Sequence, residues 1–96
     1  MIKSINGGSR CWLEIIHMIL SACTKSALKT HIMYKCNLNS SQIRKYLEFL
    51  LNKNLIKKHY SEKEHNRPLY TITTLGERYI DVYNEIIKIL ENDFTK

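Results

Sequence analysis

Hydrophobic residues repeat most regularly between residues 39 and 54, in the stretch NSSQIRKYLEFLLNKN. They recur at the spacing of an α-helix, so one face of that helix would be apolar and the other polar. The polar face carries short polar or basic side chains in its first two turns, and either Asn39 or Ser40 can cap the start with a side-chain oxygen. The pattern therefore predicts an amphipathic helix with a polar N-terminal end. Its apolar face consists of Ile43, Leu47, Leu50 and Leu51.

Two shorter helical patterns come before this stretch. They cover about residues 10–23 and 28–34, with a short connection at 24–27. A tight turn follows the second helix, since Asn37 tolerates the left-handed backbone conformation that ends many helices. Leu38 would fill the angle between the second and third helices. A short helix, a tight turn and a longer helix are typical of a helix-turn-helix.

The hydrophobic pattern changes from a helical period to strict alternation after residue 54. Residues 55–60 and 69–73 read as two strands joined by the polar loop 61–68, which makes a hairpin, or wing, directly after the helix-turn-helix. Thr73 or Thr74 can cap a last helix over about residues 75–94. The predicted fold is mainly α with a small β-hairpin (α+β): a winged helix-turn-helix with a long C-terminal dimerisation helix. The expected organisation is a flexible N-terminus at 1–9, a winged domain at 10–73 and the C-terminal helix at 74–96.

The last predicted helix carries an apolar stripe that continues for about five turns, or about 30 Å. A domain of 96 residues can cover only the first half of such a stripe, and the rest would remain an exposed apolar patch. We therefore expect a homodimer in which two of these helices pack as a coiled coil. The predicted interface residues are Trp12, Tyr79, Val82, Tyr83, Ile86, Ile87, Leu90 and Phe94.

The net charge of +6 is distributed unevenly along the chain. Residues 1–60 hold ten basic and two acidic residues, a net charge of +8, whereas residues 61–96 hold five basic and seven acidic residues, a net charge of −2. A basic body with a mildly acidic C-terminal part suggests a polyanion as partner.

The residue types that carry catalysis or bind metals are scattered. Cys11, Cys23 and Cys36 form no C-x-x-C pair and are expected to be buried, reduced thiols. The four histidines fall in different predicted elements, and the sequence has no glycine-rich phosphate loop. We therefore expect no enzymatic activity, no cofactor and no metal. Neither a signal-peptide pattern nor an apolar run long enough to span a bilayer is present, which predicts no membrane association and a cytoplasmic, nucleoid-associated protein.

Several blocks of the sequence point to a family. They are LEII at 13–16, IL at 19–20, AC at 22–23, KT at 29–30, IMY at 32–34, NL at 37–38 and YTITTLG at 70–76. Together they resemble the archaeal winged helix-turn-helix proteins related to the ten-kilodalton Sulfolobus chromatin protein. The resemblance covers about residues 12–80 and implies a DNA-binding protein, of an archaeon or archaeal virus, that dimerises through its C-terminal helix. A longer wing loop and a shorter last helix depart from that protein and suit a gene regulator.

Binding of duplex DNA needs cations and hydrogen-bonding side chains on several elements that converge. We expect the helix at 39–53 to enter the major groove, where glutamine suits adenine, arginine suits guanine and serine suits either. Tyr34, Tyr46 and Tyr70 are expected in the core rather than at this interface. The predicted DNA-binding residues are Lys29, Thr30, His31, Ser40, Ser41, Gln42, Arg44, Lys45, Lys57, Lys63 and Arg67.

These patterns leave three functions open. The first is a homodimeric transcriptional regulator that reads a two-fold-related site in double-stranded DNA, with the wing at 55–73 on the adjacent backbone or minor groove. Arg67 would enter the minor groove where it is narrow. The second is an architectural chromatin protein that binds largely without sequence choice. The third is a protein–protein adaptor that binds no nucleic acid.

Overall fold

The computed structural model describes the backbone of residues 10–95 and the side chains of residues 10–91. Within these residues, four α-helices pack around a small antiparallel sheet. The helices are α1 (Trp12–Ala22), α2 (Lys29–Cys36), α3 (Ser40–Asn52) and α4 (Thr74–Thr95). The strands are β1 (Ala27–Leu28), β2 (Ile56–Tyr60) and β3 (Pro68–Ile72), and a 3-10 helix, Glu62–Glu64, forms the tip of the wing. The predicted winged helix-turn-helix with a long last helix is confirmed, whereas the predicted flexible segment at 1–9 lies outside the described residues.

The sheet has one more strand than the sequence predicts. Its order is β1-β3-β2, and both contacts are antiparallel. The predicted hairpin pairs five residues of β2 with β3, from Ile56 opposite Ile72 to Tyr60 opposite Pro68. The connection at 24–27 adds β1, in which Ala27 lies opposite Tyr70. A strand of two residues is too short to show an alternating pattern, which is why the sequence gives no sign of it.

The core lies between the four helices and the inner face of the sheet. Its largest fully buried side chains are Ile16, Ile19, Leu20, Ile32, Ile43 and Leu50. Cys23 and Cys36 are also buried as free thiols, but Cys11 is only partly buried, so the expectation of three buried thiols is wrong for this residue. Burial raises the pKa of Cys23 to about 12, which keeps the thiol protonated and unreactive.

Two local signals fix the corner between α2 and α3. Asn37 ends α2 in the left-handed conformation, with φ 54° and ψ 53°, and the next amide, that of Leu38, donates to the Met33 carbonyl at 3.0 Å. Leu38 itself is buried in the corner. Asn39 then caps α3: its Oδ1 accepts from the Gln42 amide at 2.8 Å, and the Gln42 Oε1 accepts from the Asn39 amide at 3.0 Å. This reciprocal capping box sets where α3 begins.

The start of α4 is held against the hairpin. The Thr73 hydroxyl accepts from the Gly76 amide at 3.1 Å and donates to the Asn54 carbonyl at 2.7 Å. A Cβ atom at Gly76 would lie 2.3 Å from the Leu55 carbonyl oxygen and 2.6 Å from Cγ1 of Ile72. Only glycine allows so close an approach, so α4 leaves the wing in one fixed direction.

Candidate nucleic-acid interface

The outer face of α3 presents five of the side chains that the sequence predicts to contact DNA. Ser40, Ser41, Gln42, Arg44 and Lys45 are all exposed. Within the described part of the chain, neither Arg44 nor Lys45 forms a salt bridge. Both cations are therefore available to an incoming anion.

Besides any contact with a base, Gln42 takes part in the capping box at the start of α3. Because its Oε1 accepts from the Asn39 amide, the carboxamide is held at the first turn of α3 in a defined orientation. A bidentate contact to adenine uses the oxygen and the nitrogen of a carboxamide together. The capping box therefore restricts how Gln42 can meet a base edge.

A second group of predicted residues comes from α2 and the wing. Lys29, Thr30 and His31 form the first turn of α2 and are exposed. Lys29, Thr30 and Arg67 line one shallow depression, whose floor includes Pro68. The fold thus brings the start of α2 next to the end of the wing, and both contribute a cation. An anion at this depression would meet Lys29, Arg67 and the positive end of the α2 dipole.

The wing compensates its own charges. The Arg67 guanidinium donates from Nε to the Glu64 carbonyl at 3.2 Å and from Nη2 to the Glu64 carboxylate at 3.4 Å. Lys63 is exposed between two acids, Glu62 and Glu64. Entry of Arg67 into a minor groove would require it to leave Glu64. Lys57 lies on the outer face of β2, opposite Thr71, and is exposed.

Two residues differ from what the sequence indicates. Tyr34 is 89% exposed, so its expected place in the core is wrong, whereas Tyr70 is buried and Tyr46 half-buried, as predicted. The sequence gives no sign of the role of Arg10, whose guanidinium donates to the carbonyls of Cys36 and Asn37, at 2.9 Å in the second case. These carbonyls lie at the C-terminal end of α2, where a cation is favourable. Arg10 thereby ties the segment before α1 to the helix-turn-helix corner.

The predicted dimer residues fall into two groups. Val82, Ile86 and Leu90 form an exposed apolar face on α4, which also includes Ile89. The others mostly contact their own protomer: the Tyr79 hydroxyl donates to the Leu13 carbonyl at 2.7 Å, and Trp12 packs edge-on against Phe49 with ring centroids 6.4 Å apart. Ile87 is half-buried, and the side chain of Phe94 lies outside the described residues.

α1 and α4 are joined by a stacked pair of rings. The His17 ring lies parallel to that of Tyr83, with centroids 4.3 Å apart. Burial lowers the pKa of His17, although a hydrogen bond with Asn84 and the charge of Glu14 oppose that effect. His17 thus loses its proton more readily in the folded protein than an exposed histidine does.

No three His, Cys, Asp or Glu side chains in the described part come together in a way that could hold a metal ion. The helices of residues 10–95 include none whose length and apolar character would let it cross a bilayer.

The corner, the capped α3 and the hairpin after it define the class of protein. A family model described as winged helix-turn-helix matches residues 9–91, and the chain belongs to this family.

Three comparisons make the relationship more specific. The chain is 30% identical over 79 residues to MJ0287, an uncharacterized protein of Methanocaldococcus jannaschii, with 82% of this chain and 71% of that protein covered. Sso10a-2, a DNA-binding protein from Sulfolobus solfataricus, superimposes with a TM-score of 0.76 at 28% identity, over 90% of this chain and 87% of that chain. The predicted resemblance to this archaeal group is confirmed. MepR, a transcription regulator of the Staphylococcus aureus multidrug efflux pump MepA, shares the fold at 14% identity, with a TM-score of 0.74 over 86% of this chain and 60% of that chain.

Proposed function

We propose that the protein binds double-stranded DNA as a homodimeric, non-enzymatic transcriptional regulator. The observation that carries the proposal is the outer face of α3, where exposed serine, glutamine, arginine and lysine side chains precede the first acid of the helix. The capping box holds the first turn of α3 in one geometry, so its backbone and the Gln42 carboxamide are ordered before any DNA arrives. The similarity to Sso10a-2, which its description calls a DNA-binding protein, supports the same conclusion.

The proposed mode of binding uses three elements. α3 enters the major groove, the first turn of α2 contacts a phosphate with Lys29, and the wing lies on the neighbouring backbone or minor groove. Each phosphate that is neutralised releases counterions, so affinity should fall steeply with salt. Lys57, Lys63 and Arg67 are the cations that the wing would contribute.

The homodimer is supported by the outer face of α4. Val82, Ile86, Ile89 and Leu90 leave between 38% and 58% of their surfaces exposed on one helix. A continuous apolar face of this kind is unfavourable in water and is expected to be covered. Two copies joined there would present two α3 helices to one duplex, which would then carry two related half-sites.

The test of the proposal removes the two free cations of α3. In the Arg44→Gln/Lys45→Gln double variant, affinity for duplex DNA, measured by fluorescence anisotropy, should fall by about tenfold or more, because each lost phosphate or base contact removes a charge-assisted interaction. The control is the Lys25→Gln/Lys88→Gln double variant, which removes the same charge from exposed positions outside the proposed interface. Circular dichroism should show an intact fold in both. Equal losses in the two variants, or unchanged affinity in the first, would refute α3 as the DNA-binding element.

A second candidate is an architectural protein that binds duplex DNA without choosing a sequence. The observation in its favour is the engagement of Gln42 in the capping box, which reduces the side chains free to read a base. Competition with random duplex distinguishes the two functions. A regulator should stay bound to its own site when random duplex is in excess. An architectural protein should be displaced from that site in proportion to the length of the random duplex added.

A further inference from the structure

An apolar groove runs between α1, α3 and α4. It is a broad groove, open to solvent, with a volume of about 500 Å³. Trp12 of α1 and Phe49 of α3 form one wall, while Leu75 and Val82 of α4 form the other. Small-molecule sites typically enclose a few hundred cubic ångströms with mostly apolar walls. The groove has the size and lining of such a site.

The walls of the groove are unusually exposed for large apolar side chains. Trp12 is 56% exposed and Phe49 39%, and Leu75 is exposed as well, whereas Val82 also belongs to the apolar face proposed for the dimer. The edge-on contact between the rings of Trp12 and Phe49, 89° apart, leaves part of each ring face open. An apolar body placed there would bury this surface and gain about 25 cal/mol for each Å² removed from water. A flat ring could also stack on an open ring face.

The charges at the rim all have one sign. Among the described residues that line the groove, the charged ones are Lys53 and Arg78. The Lys53 Nζ lies 5.8 Å from the centroid of the Phe49 ring, so this cation sits over the apolar wall. Neither cation forms a salt bridge within the described part of the chain. A ligand with an anionic group would therefore be preferred over a neutral ligand of the same shape.

We propose that this groove binds a small molecule with a flat apolar body and one anionic group such as a carboxylate. Because residues of α3 and of α4 both line the groove, the ligand would contact both the proposed DNA-binding helix and the helix of the proposed dimer. Binding of the ligand should then change the affinity of the protein for DNA. This consequence rests on the proposed function, whereas the binding of the ligand does not.

Trp12 makes the groove directly observable, since it is the only tryptophan of the chain. Phenylbutyrate serves as the anionic probe, and phenylbutanol is the neutral probe of matched shape. Titration with phenylbutyrate should change the Trp12 emission saturably, and phenylbutanol should bind about threefold to fivefold more weakly, which is the range for an ion pair at an exposed rim. Absence of a saturable change, or equal affinity for the two probes, would overturn the proposal.

Variants at the rim test the origin of the preference. Lys53→Gln/Arg78→Gln should bind both probes equally, while Lys25→Gln/Lys88→Gln should keep the preference for phenylbutyrate. If Lys53→Gln/Arg78→Gln still binds phenylbutyrate more tightly than phenylbutanol, the two cations are not the source of the preference and the assignment is wrong. If Trp12 emission instead depends on protein concentration and neither probe binds at any concentration, a second copy of the chain fills the groove and the proposal is wrong.

The effect on DNA is measured separately. Anisotropy titrations with and without saturating phenylbutyrate should give different affinities for duplex DNA in the parent protein and equal affinities in the rim variant. If the parent binds phenylbutyrate but no DNA, the proposed function fails and the groove assignment stands. If it binds DNA but not phenylbutyrate, the groove assignment fails alone.

Discussion

α3 and the wing both carry predicted DNA-binding cations, but they hold them differently. Arg44 and Lys45 project from α3 without an acidic partner in the described part of the chain. In the wing, Arg67 contacts Glu64 through both its backbone carbonyl and its carboxylate. The two cations of α3 are therefore free before binding, whereas Arg67 of the wing must first leave Glu64.

The two regions also differ in how they are anchored. α3 buries Ile43, Leu47 and Leu50 in the core, so its outward face cannot move without disturbing the whole fold. The wing tip, Glu62–Glu64, buries no side chain. We infer that α3 contributes most of the DNA affinity and that the wing adjusts it. The predictions below test that division.

The largest effect is expected from loosening the anchor of α3. Ile43 is fully buried, so Ile43→Ala should reduce the free energy of unfolding by about 2–5 kcal/mol, because it removes buried methylene groups and leaves a cavity. Urea denaturation measures the loss. Lys63→Ala, at the exposed wing tip, is the control and should stay within about 0.5 kcal/mol of the parent. Similar losses in both variants would show that the wing is anchored as firmly as α3.

A smaller effect is expected from removing the cap of α3. Asn39→Ala eliminates the side-chain oxygen that accepts from the Gln42 amide and frees the Gln42 carboxamide. The free energy of unfolding should fall by about 1 kcal/mol. The control for the denaturation experiment is Ser41→Ala, which changes another residue of the first turn that takes no part in the capping box. Asn39→Ala should also bind DNA more weakly than the parent protein does, at temperatures where the variant and the parent are both folded. Unchanged stability would mean that the first turn of α3 is held by something other than its cap.

The smallest effect is expected from freeing Arg67. Glu64→Gln removes the charge that holds the guanidinium, so DNA affinity should rise by up to about fivefold at low salt, the usual range for an exposed ion pair. Glu62→Gln removes one acid from the same loop and makes no contact with Arg67, which makes it the matched control. The gain should be larger for Glu64→Gln and should shrink as salt is added. Equal gains would indicate that only the net charge of the wing matters.

The parts of the fold that the sequence predicts are those encoded within a few neighbouring residues. The corner is recognisable because each of its residues has a local signature. Asn37 tolerates the left-handed conformation, Leu38 is an apolar residue in a polar turn, and Asn39 is a typical helix cap. β1 and the Arg10 contacts have none, since they depend on partners such as Tyr70 and Cys36 that lie far along the chain. Local patterns therefore identify the elements, while tertiary contacts decide how they meet.

The same distinction applies to the candidate interface. The exposed side chains of α3 follow from helical periodicity, which separates them from Ile43 and Leu47. The pairing of Arg67 with Glu64 depends on a turn in which His65 and Asn66 both have positive φ, and composition alone does not reveal it. Tyr34 lies on the exposed side of α2, a helix of eight residues whose apolar residues form no clear stripe, so its position could not be inferred from residue type.

The close approach at Gly76 has a consequence for the length of a target site. A Cβ atom at this position would overlap the Leu55 carbonyl oxygen, so glycine lets the start of α4 pack directly against the base of the wing. In the proposed dimer, the angle at this junction sets the distance between the two α3 helices, and that distance fixes how many base pairs separate the centres of the half-sites. A larger residue at this position would tilt α4. The protein would then select the same bases at a different spacing along the helical repeat of the DNA.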